Sequence, residues 1–355
     1  MSKILCLILL LFSSCAFAQY ETHTAPISPA FLAKADTVAR ALSLLRSSGN
    51  HLWQRAGWWN CANVLEATLD YQHLSGQRTA RLCRKTLLAN KGRAFVGYES
   101  NIFDDNMWWA LAWVKAYKIY GDTLYLHTAT RIFEHAHHHA YNPKCGGGVQ
   151  WKQHVFYKNA VTNELYLLLA ARLAFLQTDT TQRNYYKTIA LTEWQWLQHS
   201  GMKNKNNLYN DGLDKECHTN MGTTWTYNQG VILGGLKELY LLTEDTSYLA
   251  EARKTAYATM ELLSDSNGIL TEPCMQNCNV DAAQFKGIFI RYLAELNTML
   301  NDRKIKDYIR YNATTAWRQA RDGKNRFTVR WQGPAIDWSG AGTGVGLDLM
   351  NAATY

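Results

Sequence analysis

One pattern recurs six times along this 355-residue chain: a polar loop carrying Gly or Trp runs into a helix rich in Ala, Leu and Gly. The anchors Asn60, Asp104, Asn159, Asn228, Lys286 and Ser339 stand 44 to 69 residues apart, which is room for two helices and two loops in each unit. Each apolar helix has a conventionally amphipathic partner, such as 183–199 beside the run to Leu176 and 305–320 beside the run to Leu300. A helix that is apolar all round is best buried, and an amphipathic one is best placed outside it. Six such hairpins closing into a ring predict an all-α (α/α)6 barrel. Only five prolines occur and no Pro-, Gly- or Ser-rich linker divides the chain, so residues 19–355 read as a single domain. All six polar loops then gather at one end, where the helix N-termini offer free N–H groups and the positive ends of their dipoles around one mouth.

Into that mouth the pattern places Phe103-Asp104-Asp105-Asn106-Met107-Trp108-Trp109, two adjacent carboxylates where a polar segment becomes a helix. Asp is a favoured N-cap, so capping is the plain explanation of such a pair. Consecutive residues, with Cα atoms about 3.8 Å apart, also allow two carboxyl groups to stand at the roughly 5–5.5 Å used by retaining glycosidases. Convergence of the six loops favours the second explanation. Asn63, Asn159, Asn228, Gln229 and Lys286 fall at corresponding helix starts, and a basin of amides, acids and Trp residues suits a carbohydrate, held by hydrogen bonds and by aromatic contact with its C–H faces.

Residues 1–18 read as a secretory signal: Lys3, an apolar run from Ile4 to Phe12, and Ala16-Phe17-Ala18 as the cleavage site. A lipidated start at Cys15, after Phe12-Ser13-Ser14, is the alternative. A secreted or periplasmic location follows, and no second apolar stretch suggests a membrane span. The formal net charge of +8 is spread along the chain without a basic run, which argues against a nucleic-acid partner. Six cysteines lie beyond the signal, Cys61, Cys83, Cys145, Cys217, Cys274 and Cys278. Of these, Cys274 and Cys278 are the best placed for a loop staple. Their spacings are not those of a zinc finger or ribbon, and His135, His137, His138 and His139 lack the carboxylates of a metal site. No metal and no cofactor is expected, and a monomer is.

Phe103-Asp104-Asp105-Asn106-Met107-Trp108-Trp109-Ala110-Leu111-Ala112, Gly146-Gly147-Gly148-Val149-Gln150-Trp151, Lys158-Asn159-Ala160-Val161-Thr162-Asn163, Tyr227-Asn228-Gln229-Gly230 and Phe285-Lys286-Gly287 occur in this order. Together they resemble glycoside hydrolase family 76, the endo-α-1,6-mannanases with an (α/α)6 barrel. The resemblance implies hydrolysis of α-1,6-mannan or manno-oligosaccharides with retention, Asp104 as nucleophile, Asp105 as general acid/base, and no metal. Trp108, Trp151, Tyr227 and the amides and lysine named above are the candidate sugar contacts. Each has a plainer role open to it: barrel core for Trp108, loop bracing for Trp151 and Gln229, capping for Asn159 and Asn228. Arg291, one turn into its helix, reads as a structural ion-pair partner. A mannan transglycosidase using the same acids, a non-catalytic mannan-binding protein, and another sugar-active helical barrel are the competing functions.

Overall fold

The computed structural model describes residues 27–77, 80–90, 101–274 and 278–355. The secretory signal, Cys15 and the stretch Tyr98-Glu99-Ser100 lie outside them.

Among the described residues, six apolar helices form an inner ring: α2 (Trp58–Ser75), α4 (Phe103–Tyr120), α6 (Ala160–Leu176), α8 (Thr226–Thr243), α10 (Ala282–Leu300) and α12 (Gly340–Ala353). Each packs against the next, and α12 packs against α2 to close the circle. This is the expected (α/α)6 barrel. Every residue of α12, and all of α6 but Phe175, is buried, so these helices show no polar face. Outside them run α3 (Ala80–Ala89), α5 (Thr123–Ala140), α7 (Thr180–His199), α9 (Ser247–Leu262) and α11 (Arg303–Gln319). In α5 the buried residues Tyr125, Thr128, Ala129, Ile132, Phe133, Ala136 and Ala140 repeat at three and four, the one-sided stripe of an outer helix.

The sixth pair is made differently from the other five. Among the described residues α12 is the last helix, and its outer partner is α1 (Pro29–Leu44), which packs on both α12 and α2. The Ser28 N–H donates to the Thr354 carbonyl at 2.8 Å, so the two ends of the described chain meet at this seam.

Glycine allows the inner helices to approach closely. A Cβ on Gly230 of α8 would lie 2.6 Å from the Phe289 Cα of α10. Away from the mouth, the barrel interior is filled by charge, with every inner helix contributing. Arg291 (α10) donates to both oxygens of Asp348 (α12) at 2.9 Å and to Glu66 (α2) at 2.8 Å. Lys115 (α4) meets Asp70 (α2) at 2.8 Å and Glu66 at 3.1 Å, and Arg172 (α6) meets Glu238 (α8) at 3.0 Å and Glu295 (α10) at 2.7 Å. Arg291 is therefore the structural ion-pair partner that its position suggests. A cavity of about 80 Å³ lies within the network.

Two disulfides occur among the described residues. Cys274–Cys278 is the staple read from the sequence; Cys145–Cys217 ties the loop before α6 to the loop before α8, and Cys61 and Cys83 remain as buried thiols.

Candidate active site

The capping explanation of Asp104 and Asp105 can be tested against this chain's own caps. The outer helices α5, α7 and α11 begin with Asp122, Asp179 and Asp302, whose carboxylates accept from Leu124 N, Gln182 N and Lys304 N. Helix α4 instead has the extended residue Ile102 at its N-cap, without a side-chain cap, and Asp104 and Asp105 lie inside the first turn. Asp104 is 8% exposed and Asp105 half-buried. Asp104 Oδ1 accepts from the Asp105 N–H at 2.9 Å, and the Asn159 side chain also donates to Asp104. Burial, then the charge of Asp105, push the Asp104 carboxyl well above the usual carboxylate range, against the pull of these hydrogen bonds. Burial and the neighbouring charge thus favour the protonated form of Asp104.

Asn159 is poised for this contact by a two-residue strand, β1 (Lys158–Asn159), paired antiparallel with β2 (Gly212–Leu213). Trp151 is half-exposed; its carbonyl accepts from the Phe103 N–H at 2.9 Å, which ties the triple-glycine loop to the residue before the acids. Tyr227, also half-buried, lies within electrostatic range of Asp104 and stays a neutral phenol, its ionisation opposed by burial and by the neighbouring carboxylates. Its ring stacks on Phe285, which neighbours Trp225 and Trp59 with centroids 5.5 and 6.1 Å away. Asp104, Asp105, Asn159, Tyr227 and Trp151 are therefore brought together at the mouth.

The other candidate contacts are held among protein groups in this structure. Asn63 lies under the mouth, accepting from Arg291 at 3.0 Å. Gln229 bonds the backbone of Tyr209 and Trp225, which makes it the loop brace. Lys286, 1% exposed, turns away from the opening, donates to the Leu270 carbonyl at 3.2 Å and lies over the Trp331 ring. Asn228 is fully enclosed, with no hydrogen-bond partner for either side-chain atom. Trp108 is core, stacked on Trp59 at 5.8 Å. In this structure these five side chains are enclosed by protein rather than open at the mouth.

The profile of glycosyl hydrolase family 76 matches residues 41–354. The chain belongs to this family. Among relatives of this family 76 protein, the mannan endo-1,6-alpha-mannosidase DFG5 of Saccharomyces cerevisiae is 30% identical over 204 residues, covering 53% of this chain and 44% of the yeast protein. The chain spans about half the length of the curated relatives it matches. Its fold is shared with the Lin0763 protein of Listeria innocua (TM-score 0.80, 22% identity, 91% of this chain and 96% of that one). It is shared equally with an inactive variant, altered at two consecutive aspartates, of the alpha-1,6-mannanase GH76A of Salegentibacter sp. HEL1_6 in complex with alpha-1,6-mannotetrose (TM-score 0.81, 20% identity, 91% and 98%).

The family 76 mouth holds groups that sequence reasoning passed over. Trp59, fixed by its indole N–H on Asp281 at 2.8 Å, forms with Phe285 and Trp225 an aromatic arc across α2, α10 and the loop before α8. Asp211 is a third carboxylate near Tyr227. It accepts from the Tyr157 hydroxyl and the Trp225 indole, and burial raises its pKa. The adjacent Trp58-Trp59 pair and Asp211-Gly212 before a loop were visible signals, but only the loop crossing between β1 and β2 brings Asp211 to the site. Among the described residues, no group of His, Cys, Asp and Glu is arranged to hold a metal ion, and no helix is long and apolar enough to cross a membrane.

Proposed function

We propose that this protein is a retaining, endo-acting α-1,6-mannanase in which Asp104 is the nucleophile and Asp105 the general acid/base. The observation that carries the reading is the departure of this pair from a capping role. Two adjacent carboxylates inside the first turn of an inner helix, one gripped by Asn159, stand at the mouth of a barrel whose rim is aromatic. The names of the yeast relative and of the Salegentibacter enzyme support the linkage, and the inactivity of the latter's double-aspartate variant supports the pair.

In the first step Asp105, protonated, gives its proton to the glycosidic oxygen as the C1–O bond breaks, and an Asp104 oxygen bonds to C1. In the second, Asp105 takes a proton from water, the water oxygen bonds to C1, and the C1–Asp104 bond breaks. The half-buried acid is suited to meet leaving group and water in turn, and the deeper one, held by Asn159 and the Asp105 N–H, is suited to attack. Attack requires Asp104 to be ionised. Burial and the Asp105 charge oppose this, its two hydrogen-bond donors favour it, and positive charge developing at C1 favours it further. The aromatic arc would take the sugar C–H faces, while Asp211 and Asn159 would accept from and donate to hydroxyls. Export of the chain through residues 1–18 belongs to the same reading.

The test is reducing-end release from unbranched α-1,6-mannan beside Asp104→Asn and Asp105→Asn, with early products followed by NMR. Loss of activity in both variants and α-anomers forming first support the proposal. Activity surviving both substitutions removes the pair from the mechanism, and β-anomers forming first remove retention.

A further inference from the structure

Lys158 is 0% exposed, and its ammonium lies in a cage of backbone oxygens, donating to the carbonyls of Asn142 at 2.6 Å, Lys144 at 2.5 Å, Gly147, and Gly148 at 3.4 Å. The cage is built by an unusual backbone. Cys145, Gly146, Gly147 and Gly148 have φ of 61°, 78°, 139° and 82°, and the carbonyls of the last two turn onto the ammonium. Four carbonyl dipoles converging in a buried space repel one another unless a cation sits among them. The floor is Trp196, whose indole N–H donates to the Cys145 carbonyl at 2.9 Å and whose ring lies 2.6 Å from where a Cβ on Gly148 would be. Glu193 of α7, also buried, faces the ammonium. Burial pulls Lys158 down to about 8 and Glu193 up to about 8, each opposed by the other's charge.

What the cage organises bears on the acid pair. The same loop continues to Trp151, whose carbonyl takes the Phe103 N–H, and to Gln153, whose N–H donates to the Asn101 carbonyl at 2.8 Å. Ile102, the N-cap of α4, bridges to Lys152. The segment that launches Asp104 and Asp105 is thus laid down on the loop that Lys158 holds. Neighbouring side chains on an extended strand point to opposite sides, and β1 uses both: Lys158 grips the loop while Asn159 grips the Asp104 carboxyl.

We propose that Lys158 is a positioning residue, a built-in cation around which residues 142–151 fold and which thereby sets the place of Asp104 and Asp105 at the mouth. The role rests on the reading of those acids as the catalytic pair, but the clamp itself can be measured without it.

The experiment uses the whole protein, wild type beside Lys158→Ala and Lys158→Met, with three readouts: steady-state kinetics on α-1,6-mannan, thermal unfolding, and hydrogen–deuterium exchange. Both variants are expected to unfold cooperatively, with faster exchange confined to residues 101–107 and 142–151. Their kcat is expected to fall about 10–100-fold with KM within about threefold, the cost of reacting groups displaced by an ångström or less. In Lys158→Ala, n-propylammonium, which matches the three carbons and the ammonium removed, refills the cage and restores part of kcat, whereas tetramethylammonium, with no N–H to donate, does not. Unchanged exchange in the two segments overturns the proposal. So does faster exchange throughout the barrel or loss of a cooperative transition, either of which makes Lys158 a general determinant of folding. A wild type inactive on mannan defeats the functional reading alone, and the exchange pattern still decides the clamp.

Discussion

Tyr227 and Phe285 lie face to face, ring centroids 3.9 Å apart and planes 14° from parallel, joining α8 to α10 at the mouth. Because Phe285 is also flanked by Trp59 and Trp225, the arc is braced before any sugar arrives, and little side-chain entropy remains to be lost on binding. Trp59→Ala is expected to raise KM for mannan about tenfold, the equivalent of roughly 1.4 kcal/mol, with a smaller change in kcat. Steady-state kinetics on mannan of defined length check this, and an unchanged KM removes Trp59 from the binding surface.

The division of labour between the acids has a stereochemical signature. With an activated α-mannoside and azide, Asp104→Asn lacks the nucleophile, so azide attacks C1 directly and the product is the β-mannosyl azide. Asp105→Asn still forms the covalent intermediate, and azide opening it returns the α-azide. NMR of the products reads the assignment, and the reverse pattern exchanges the two roles.

Asp104 should weaken the fold that carries it. Its pKa is raised in the folded protein by burial and then by Asp105, so the native state keeps its proton to higher pH than the unfolded chain. Stability therefore falls as pH rises from the unfolded value through the folded one, and the full penalty is present above that. Asp104→Asn is expected to raise Tm at neutral pH, and the gain should vanish below about pH 4, where the unfolded carboxyl is protonated as well. Differential scanning calorimetry across pH measures it.

The charged plug behaves in the opposite way when one member is removed. Arg291→Met leaves Asp348 and Glu66 without the guanidinium that satisfies them. A loss of roughly 3–5 kcal/mol is expected, as for other buried pairs broken from one side. Denaturant unfolding tests this, and a loss under about 1 kcal/mol would mean that Lys115 and Arg172 take over.

Acid should find the same network. Burial raises Glu295, but Arg172 and Lys115 outweigh it and hold the group at about 2, below the 4.5 of an ordinary glutamate. Its contribution is present above the unfolded value and is lost as pH falls from about 4.5 to about 2. Glu295→Gln should flatten the acid limb of the stability curve in that window, and a limb as steep as that of the wild type would contradict it.

Much of this architecture is legible in the sequence because helices buried all round look unlike helices buried on one side. The runs at 160–176 and 340–353 carry almost no charge, whereas 303–319 alternates in threes and fours. The acids are legible too, as carboxylates at the start of an apolar run. The residues found enclosed by protein share another feature. Asn63, Gln229 and Lys286 are polar groups at inner-helix starts, and a linear pattern cannot say whether such a side chain faces the opening or a neighbouring helix. That is decided by rotation about the helix axis, and for these three the partner that fixes the rotation, Arg291, Tyr209 or Trp331, lies 45 or more residues away or on another segment. Lys158 was hidden for the same reason: its ligands are backbone oxygens, which leave no mark in the side-chain sequence.

The seam between α1 and α12 has a consequence for how the molecule is made. The helix pairs α4–α5, α6–α7, α8–α9 and α10–α11 can assemble as soon as each has been synthesised, but the pair at the seam joins residues 29–44 to residues 340–353. During synthesis the first helix must wait for nearly the whole chain, with the inner faces of α2 and α10 exposed in an open crescent until the final segment arrives. Closure is thus the most non-local event in the molecule and the one expected to set its folding rate. Since Ser28 and Thr354 already touch, a peptide link between these two positions with a cut at an outer turn would move this delay to another pair of helices without changing the finished ring.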